Sequence, residues 1–378
     1  MKYKLKEIFD LQMGKTPARN NDKYWNSKDY KWISIADLTS TDKYINNTKE
    51  YISQSAVTES GIKIIPANTV VMSFKLSIGK TAILSEDMYS NEAIMAFHDK
   101  HVVELLPEYT YYLIKAKNWN GGSNRAVMGQ TLNKATLSEI EVDVHTIDEQ
   151  RKIVELLNLL GKIIYKRNTQ LSKLEDILSA RFVEMFNGKN YPREELENLS
   201  HGKGEYGAQS ASVEYNSSRP RYVRITDIKE DGSLNDDFVC SANIEDDELY
   251  KLEYGDFCFA RMGATVGKTY AYRGGNQIFA GYLIRYKLNL NRIIPEYLYE
   301  FTRLHEYRNW VSLNQSGAAQ PGINAKKYGS LRIPVAPLEE QRVFAKFVGQ
   351  VDKSKVEVQK ALDKAQLLFD SLMQKYFG

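Results

Sequence analysis

Cysteine is almost absent from this sequence. Cys240 and Cys258 are the only two in 378 residues, too few for a disulfide framework and wrongly spaced for a zinc ribbon. No apolar run approaches the ~18 residues that a membrane span needs, and the mean hydropathy is -0.47. The opening Met1-Lys2-Tyr3-Lys4-Leu5-Lys6 lacks the apolar stretch and small-residue cleavage site of an export signal. These absences predict a cytoplasmic chain without membrane contact. Excess charge is missing too: 51 basic against 48 acidic residues leave +3. The balance is local as well, with 18 basic and 17 acidic in 1–145, 7 and 6 in 146–188, 19 and 19 in 189–336, and 7 and 6 in 337–378. Bulk attraction to nucleic acid is thereby excluded, so any such binding must come from charges sorted onto one face. What is plentiful is tyrosine, 25 residues, which suits both stacking surfaces and sheet packing.

An internal repeat organises the chain. Lys31-Trp32-Ile33-Ser34-Ile35-Ala36-Asp37-Leu38 recurs 190 residues later as Arg221-Tyr222-Val223-Arg224-Ile225-Thr226-Asp227-Ile228. Its alternating apolar residues predict a half-buried strand ending at the Asp. Gly79-Lys80-Thr81 recurs as Gly267-Lys268-Thr269 and Pro107-Glu108-Tyr109 as Pro295-Glu296-Tyr297, both at 188. Asp148-Glu149-Gln150-Arg151 recurs as Glu339-Glu340-Gln341-Arg342 at 191. Four matches in one order at nearly one offset mark a duplicated unit.

Each copy ends in a long helical pattern, opened by Thr146 with Glu149 three residues on in the first and by Pro337 in the second. One heptad seam of the first helix is Leu157, Ile164, Leu171, Leu178 and Met185, alternating with Ile153, Leu160, Arg167, Leu174 and Arg181. The second helix shows Val348, Lys355, Leu362, Phe369 and Tyr376, alternating with Phe344, Val351, Val358, Ala365 and Leu372. Gly188 suits a C-terminal cap of the first helix. A narrow seam over five heptads is a coiled-coil pattern, and forty residues would make a rod of ~60 Å. Antiparallel pairing within one chain would place the globular segments at opposite ends; parallel pairing between two chains is the alternative. The expected fold is α+β, with mixed domains at 1–145 and 189–336 and helices at 146–188 and 337–378. Strands are expected over Thr69–Phe74 and Phe257–Ala260, and helices over Glu108–Lys117 and Glu296–Trp310.

Motifs for chemistry are sparse. Gly263-Ala264-Thr265-Val266-Gly267-Lys268-Thr269 is one residue too short for a phosphate-binding loop, and reads better as a turn whose lysine approaches DNA. His98 and His101 have no Cys or further His nearby and read as a solvated loop, so no metal site is expected. No G-x-S-x-G elbow, H-E-x-x-H helix, or Asn/Asp-Pro-Pro-aromatic tetrapeptide is present, which predicts a chain that is not catalytic. Polar loops instead carry side chains able to grip phosphates and base edges. The candidates for DNA contact are Lys15, Arg19, Asn20, Lys75, Lys80 and Arg125 in the first half, and Lys203, Gln209, Arg219, Arg261, Lys268, Gln320 and Lys326 in the second. Most of them individually also fit an ordinary surface loop.

Gly14-Lys15-Thr16-Pro17, then Tyr24-Trp25, then Trp32-Ile33-Ser34-Ile35-Ala36-Asp37-Leu38 resembles the opening of a target-recognition domain in specificity subunits of type I restriction-modification systems. Gln320-Pro321-Gly322-Ile323-Asn324 through Ile333-Pro334-Val335-Ala336-Pro337-Leu338-Glu339-Glu340-Gln341 resembles the end of such a domain running into its helix. The first copy departs from this pattern, with Asp143 and His145 where prolines are usual. The resemblance spans the chain. It implies a non-catalytic subunit that reads a bipartite, asymmetric site on double-stranded DNA, one half per domain, with the helices setting the gap. It further implies two adenine-methyltransferase subunits using S-adenosylmethionine, to which two restriction subunits using ATP and Mg can be added. A stand-alone repressor and a coiled-coil scaffold are the other classes; a gel shift with the purified chain alone separates the repressor, and absence of any sequence preference marks the scaffold.

Overall fold

The computed structural model describes residues 1–75, 77–117, 119, 132–316 and 321–378. The chain forms two compact units, Met1–Asn168 with Lys360–Gly378, and Thr169–Gln359. Of the candidates above, Arg125 and Gln320 lie outside the described residues.

In the first unit the central sheet has strand order Phe9–Met13, Ile94–Asp99, Val70–Ser73, Thr81–Leu84 and Tyr44–Ile45. Its first three neighbour pairs are antiparallel and its last is parallel. A smaller sheet pairs Tyr30–Ile33 antiparallel with Glu50–Ile52 and parallel with Tyr89–Ser90. Val70–Ser73 and Thr81–Leu84 are buried on both faces, which is why they read as unbroken apolar runs rather than alternations. Phe9, Met72, Phe97 and Leu113 form a core that also takes in Ile153, Leu157 and Phe377.

The second unit repeats the frame. Strands Glu205–Tyr206, Leu283–Lys287, Asp256–Ala260 and Thr269–Ala271 keep the same neighbour order, and Arg221–Val223 pairs parallel with Gln277–Phe279. The duplicated Gly-Lys-Thr is the turn between two antiparallel strands in both units. Gly79 and Gly267 take φ +91° and +88° there, a conformation that favours glycine. No helix follows this turn, so the phosphate-loop geometry is absent.

Three local expectations are corrected. The repeated strand stops at Ile33 and Val223, well before the Asp. Asp37 instead anchors the next turn, accepting hydrogen bonds from the Ser34 N–H at 2.8 Å and the Lys49 N–H at 3.0 Å; Asp227 accepts from the Arg224 N–H at 2.8 Å. The helical stretch after Pro295 is two helices, Pro295–Arg303 and His305–Asn314. The break at Leu304 lets the Tyr307 hydroxyl reach the Gly267 carbonyl at 2.8 Å. His98 belongs to a strand and is partly buried rather than solvated, and burial lowers its pKa.

The two long helices are Ile147–Phe186 and Leu338–Phe377. Thr146 and Glu149 form the expected capping box, and Gly188 follows the first helix at φ +75°. In the first unit the start of the first helix packs beside the end of the second, Ile153 and Leu157 sharing a cluster with Phe369, Leu372 and Tyr376. In the second unit the order is reversed: Phe182 and Phe186 meet Phe344 edge to face, with centroids 5.4 and 5.7 Å apart. Lys355 pairs with Glu175 at 2.5 Å. The helices are thus antiparallel within each unit. Leu157, Leu160, Leu178, Val348, Val351 and Val358 are buried; Ile164, Leu171, Leu174, Leu362, Phe369 and Leu372 are partly buried. Phe182 and Phe186 lie off the heptad seam yet are buried, because they enter the core of the second unit.

Glu300, only 3% exposed, is the carboxylate most perturbed by burial in this region. Desolvation pushes its pKa up to about 7, with Glu175 adding to the rise and Arg303, Lys355 and Arg273 opposing it. The folded chain therefore holds this proton more tightly than the unfolded chain, and the stability it contributes, ~3 kcal/mol at most, is complete at low pH and is lost as pH rises toward 7. Glu300→Gln keeps the shape without the charge. Thermal unfolding is expected to show the variant matching the parent at pH 5 and exceeding it at pH 8; equal melting at both values contradicts the burial argument.

Candidate nucleic-acid interface

In the first unit, the loop after strand Phe9–Met13 is pinned before it reaches the surface. A Cβ on Gly14 would lie 2.1 Å from the Asn91 carbonyl oxygen, so only glycine lets this backbone pass. The Lys15 N–H donates to the Ser90 carbonyl at 2.8 Å. The Trp32 indole N–H donates to the Lys15 carbonyl and that of Trp25 to the Ala18 carbonyl, both at 3.1 Å. Arg19 lies over the Trp25 ring at 3.9 Å and the Trp32 ring at 4.8 Å, and both its terminal nitrogens donate to the Glu50 carboxylate. Its charge is compensated inside the domain. The Lys15 ammonium donates to the Ser60 carbonyl at 2.5 Å. Asn20, Lys75 and Lys80 are exposed, and neither lysine has an ion pair among the described residues.

In the second unit, Gly207 plays the part of Gly14: a Cβ there would lie 2.3 Å from the Ala280 carbonyl oxygen. The Tyr222 hydroxyl donates to the Ala208 carbonyl at 2.6 Å, as the indole of Trp32, its repeat counterpart, does to Lys15. The same loop is therefore pegged by a ring-borne donor in both copies. Its surface differs. Arg261 is fixed through its backbone, the N–H donating to Tyr282 at 3.0 Å and the carbonyl accepting from Ile323 at 2.9 Å. Its guanidinium lies 4.8 Å over the Tyr206 ring and has no ion pair among the described residues. The Tyr206 hydroxyl accepts from the Ala325 N–H at 3.2 Å, which brings the exposed Lys326 to the same patch. Tyr282 is 54% exposed. A stacked guanidinium with free donors beside an ammonium suits a guanine edge or a phosphate. Lys203, Gln209 and Arg219 are also exposed, whereas Lys268 is held by Glu230 at 2.6 Å. Sequence reasoning missed Tyr206 and Tyr282; a tyrosine directly before Gly207 was the visible signal for the first.

The comparison that decides the family covers both units. The model of the type I restriction modification DNA specificity domain matches residues 1–176 and again 185–367. The chain belongs to that family. Among specificity-subunit relatives, that of the type I restriction enzyme MjaIX of Methanocaldococcus jannaschii is 29% identical over 187 residues, 48% of this chain and 43% of the relative. That of EcoR124I/EcoR124II of Escherichia coli is 28% identical over 165 residues, 41% of this chain and 39% of the relative. These matches thus span less than half the length of the curated relatives. The crystal structure of a type I restriction-modification S subunit from M. genitalium is similar over 100% of this chain and 96% of its own, with TM-score 0.57 and 16% identity. A chain from a structure of type I R-M complex assembly gives TM-score 0.60 at 16% identity, over 100% of this chain and 97% of its own. At such identities the likeness establishes fold. Within this specificity-domain family, the two pegged loops are equivalent scaffolds that present unlike surfaces.

Proposed function

We propose that this chain is the DNA-reading subunit of a type I restriction-modification complex, with residues 1–145 and 189–336 each reading one half of a split, asymmetric site. The observation that carries this reading is one frame displayed twice with different chemistry. Arg19 is neutralised by Glu50, while Arg261, with one N–H on Met262 Sδ at 3.5 Å, has no ion pair among the described residues and keeps its other donors free over Tyr206. The helices, 40 residues each and so ~60 Å long, set the gap between half-sites. The chain itself is non-catalytic. Two methyltransferase subunits carry S-adenosylmethionine and modify adenine, and restriction subunits, where added, bring ATP and Mg. Near-neutral charge fits this division, since partners supply much of the phosphate grip.

The test is Arg261→Ala in the assembled methyltransferase, read as the modified motif. Losing one base-edge contact is worth ~1–3 kcal/mol, or roughly 5- to 150-fold in discrimination. The expected result is relaxed sequence preference in one half-site only. Equal weakening of both halves contradicts the reading.

A further inference from the structure

The duplication supplies its own comparison for a cavity in the second unit. In the first unit the Lys43 ammonium is enclosed: it donates to Glu108 Oε1 at 3.2 Å, to the Tyr112 hydroxyl at 3.0 Å and to the Asn158 amide oxygen. The Asn158 amide NH2 donates to both Glu108 oxygens, at 3.2 and 3.1 Å, and the Tyr112 hydroxyl donates to Asn158 Oδ1 at 2.7 Å. Every polar atom of this cluster has a partner.

At the repeat offsets, Glu108 becomes Glu296, Tyr112 becomes Glu300 and Asn158 becomes Gly349; the segment after the first repeat match, which carries Lys43, diverges between the copies, and from it Asp231 lines the cavity of the second unit. Neighbours support the match. Lys115 donates to the Tyr111 hydroxyl at 2.7 Å in the first unit, and Arg303 donates to the Tyr299 hydroxyl at 3.0 Å in the second. The amide is thus gone, Glu300 adds a carboxylate, and the diverged segment brings Asp231 rather than a lysine to the cavity lining. A Cβ on Gly349 would meet nothing within 4 Å, and a cavity of about 260 Å³ opens there, lined by Asp231, Tyr254, Glu296, Glu300, Val348 and Gly349, with Arg273 and Lys355 among the others.

The carboxylates in it are poorly matched. Glu296 Oε2 is buried without a hydrogen-bond partner. Glu300 is buried, and its nearest cation is Arg303 Nε at 3.9 Å. Two of the surrounding cations are engaged elsewhere: Lys355 holds Glu175 at 2.5 Å and Asp352 at 3.7 Å, and Arg303 holds Glu175 at 3.4 Å. Arg273 lies over the Tyr299 ring at 5.7 Å. Asp231 accepts from the Ser233 N–H and hydroxyl at 2.9 and 2.6 Å. Among the described residues no group of three His, Cys, Asp or Glu can hold a metal ion, which turns the chemistry toward an organic cation. Unpaired buried carboxylates are costly, and an ammonium with a short aliphatic stem answers both the acid and the apolar wall.

We propose that this cavity binds a primary aliphatic ammonium ion of lysine side-chain length, its head between Glu296 and Glu300 and its stem along Val348, Leu178 and Tyr254. The site is independent of DNA reading and is tested without DNA. Titration calorimetry of the full chain with n-butylammonium is expected to show saturable one-to-one binding near ~1 mM, suitable for so small a ligand. Tetramethylammonium, which has no N–H, is expected not to bind. Glu300→Gln should weaken binding about tenfold. Asp231→Lys combined with Gly349→Asn, which puts an ammonium and an amide into the cavity, should abolish it. Butane-1,4-diamine and Nα-acetyl-lysine methylamide distinguish a free polyamine from a lysine presented by a protein; binding of either supports the proposal. Absence of saturable binding by n-butylammonium overturns it, as does undiminished binding to both the Glu300→Gln and the doubly substituted chain.

Discussion

Alanine at position 207 is expected to destabilise the second unit by ~3 kcal/mol or more, because the added carbon meets backbone rather than a yielding side chain. The Ala280 and Phe279 carbonyl oxygens lie 2.3 and 2.4 Å from that carbon. Relieving the overlap means giving up the hydrogen bond from the Ala208 N–H to the Phe279 carbonyl, 2.9 Å, and with it the path of the loop leading to Gln209. Gly14→Ala should do the same to the first unit. Urea unfolding measures both. Gly161→Ala is the control: it lies in a helix with nothing within 4 Å of the added carbon, and should be neutral or stabilise by up to ~1 kcal/mol. A Gly207→Ala chain with an unchanged midpoint contradicts the close-approach argument.

The second large effect is expected at Gln150 and Gln341, both fully buried at the entrance to the long helices. Gln341 Oε1 accepts from the Ile294 N–H at 3.0 Å, and its amide donates to the Arg292 and Ala336 carbonyls at 3.0 and 2.8 Å. Gln150 makes the matching set with Leu106, Glu104 and His145 at 3.0, 2.8 and 3.0 Å. Each glutamine thus ties a helix to the preceding domain by three bonds to backbone. Removing one strands an N–H and two carbonyls in the interior, at ~1–3 kcal/mol for each unsatisfied group. Gln341→Ala is therefore expected to lower stability by ~3 kcal/mol or more and to lose hydrogen-exchange protection at the Ile294 amide. Retained protection there means the clamp is not what orders this junction.

That clamp shows what could be read in the sequence. The repeated acidic-acidic-Gln-Arg tetrad was visible as a match between copies, and the heptad seams marked the helices, because both are periodic or duplicated signals. The reason for the glutamine was not visible, since two of its three partners lie 44 to 49 residues away. For the same reason Arg19 read as a free cation, although Glu50, 31 residues on, compensates it. Asp37 read as a strand end because alternation does not reveal that its carboxylate folds back onto the Ser34 N–H. Phe182 and Phe186 fall outside the heptad because they serve a globular core as well as the seam. In the candidate interface, the glycine-bearing loops were legible, whereas the stacking of Arg261 on Tyr206 joins segments 55 residues apart and needed the fold.

The central claim is that two dissimilar readers in one polypeptide recognise a split site whose gap the helices set. The direct measurement is a genome-wide map of methylated adenine in cells carrying the intact chain and in cells carrying a chain shortened by one heptad in each long helix. The account predicts one split motif, and in the shortened chain the same two half-sites brought closer by about 3 base pairs, the ~10.5 Å that seven helical residues span. Methylation that does not depend on the chain, or a gap that stays the same, contradicts it.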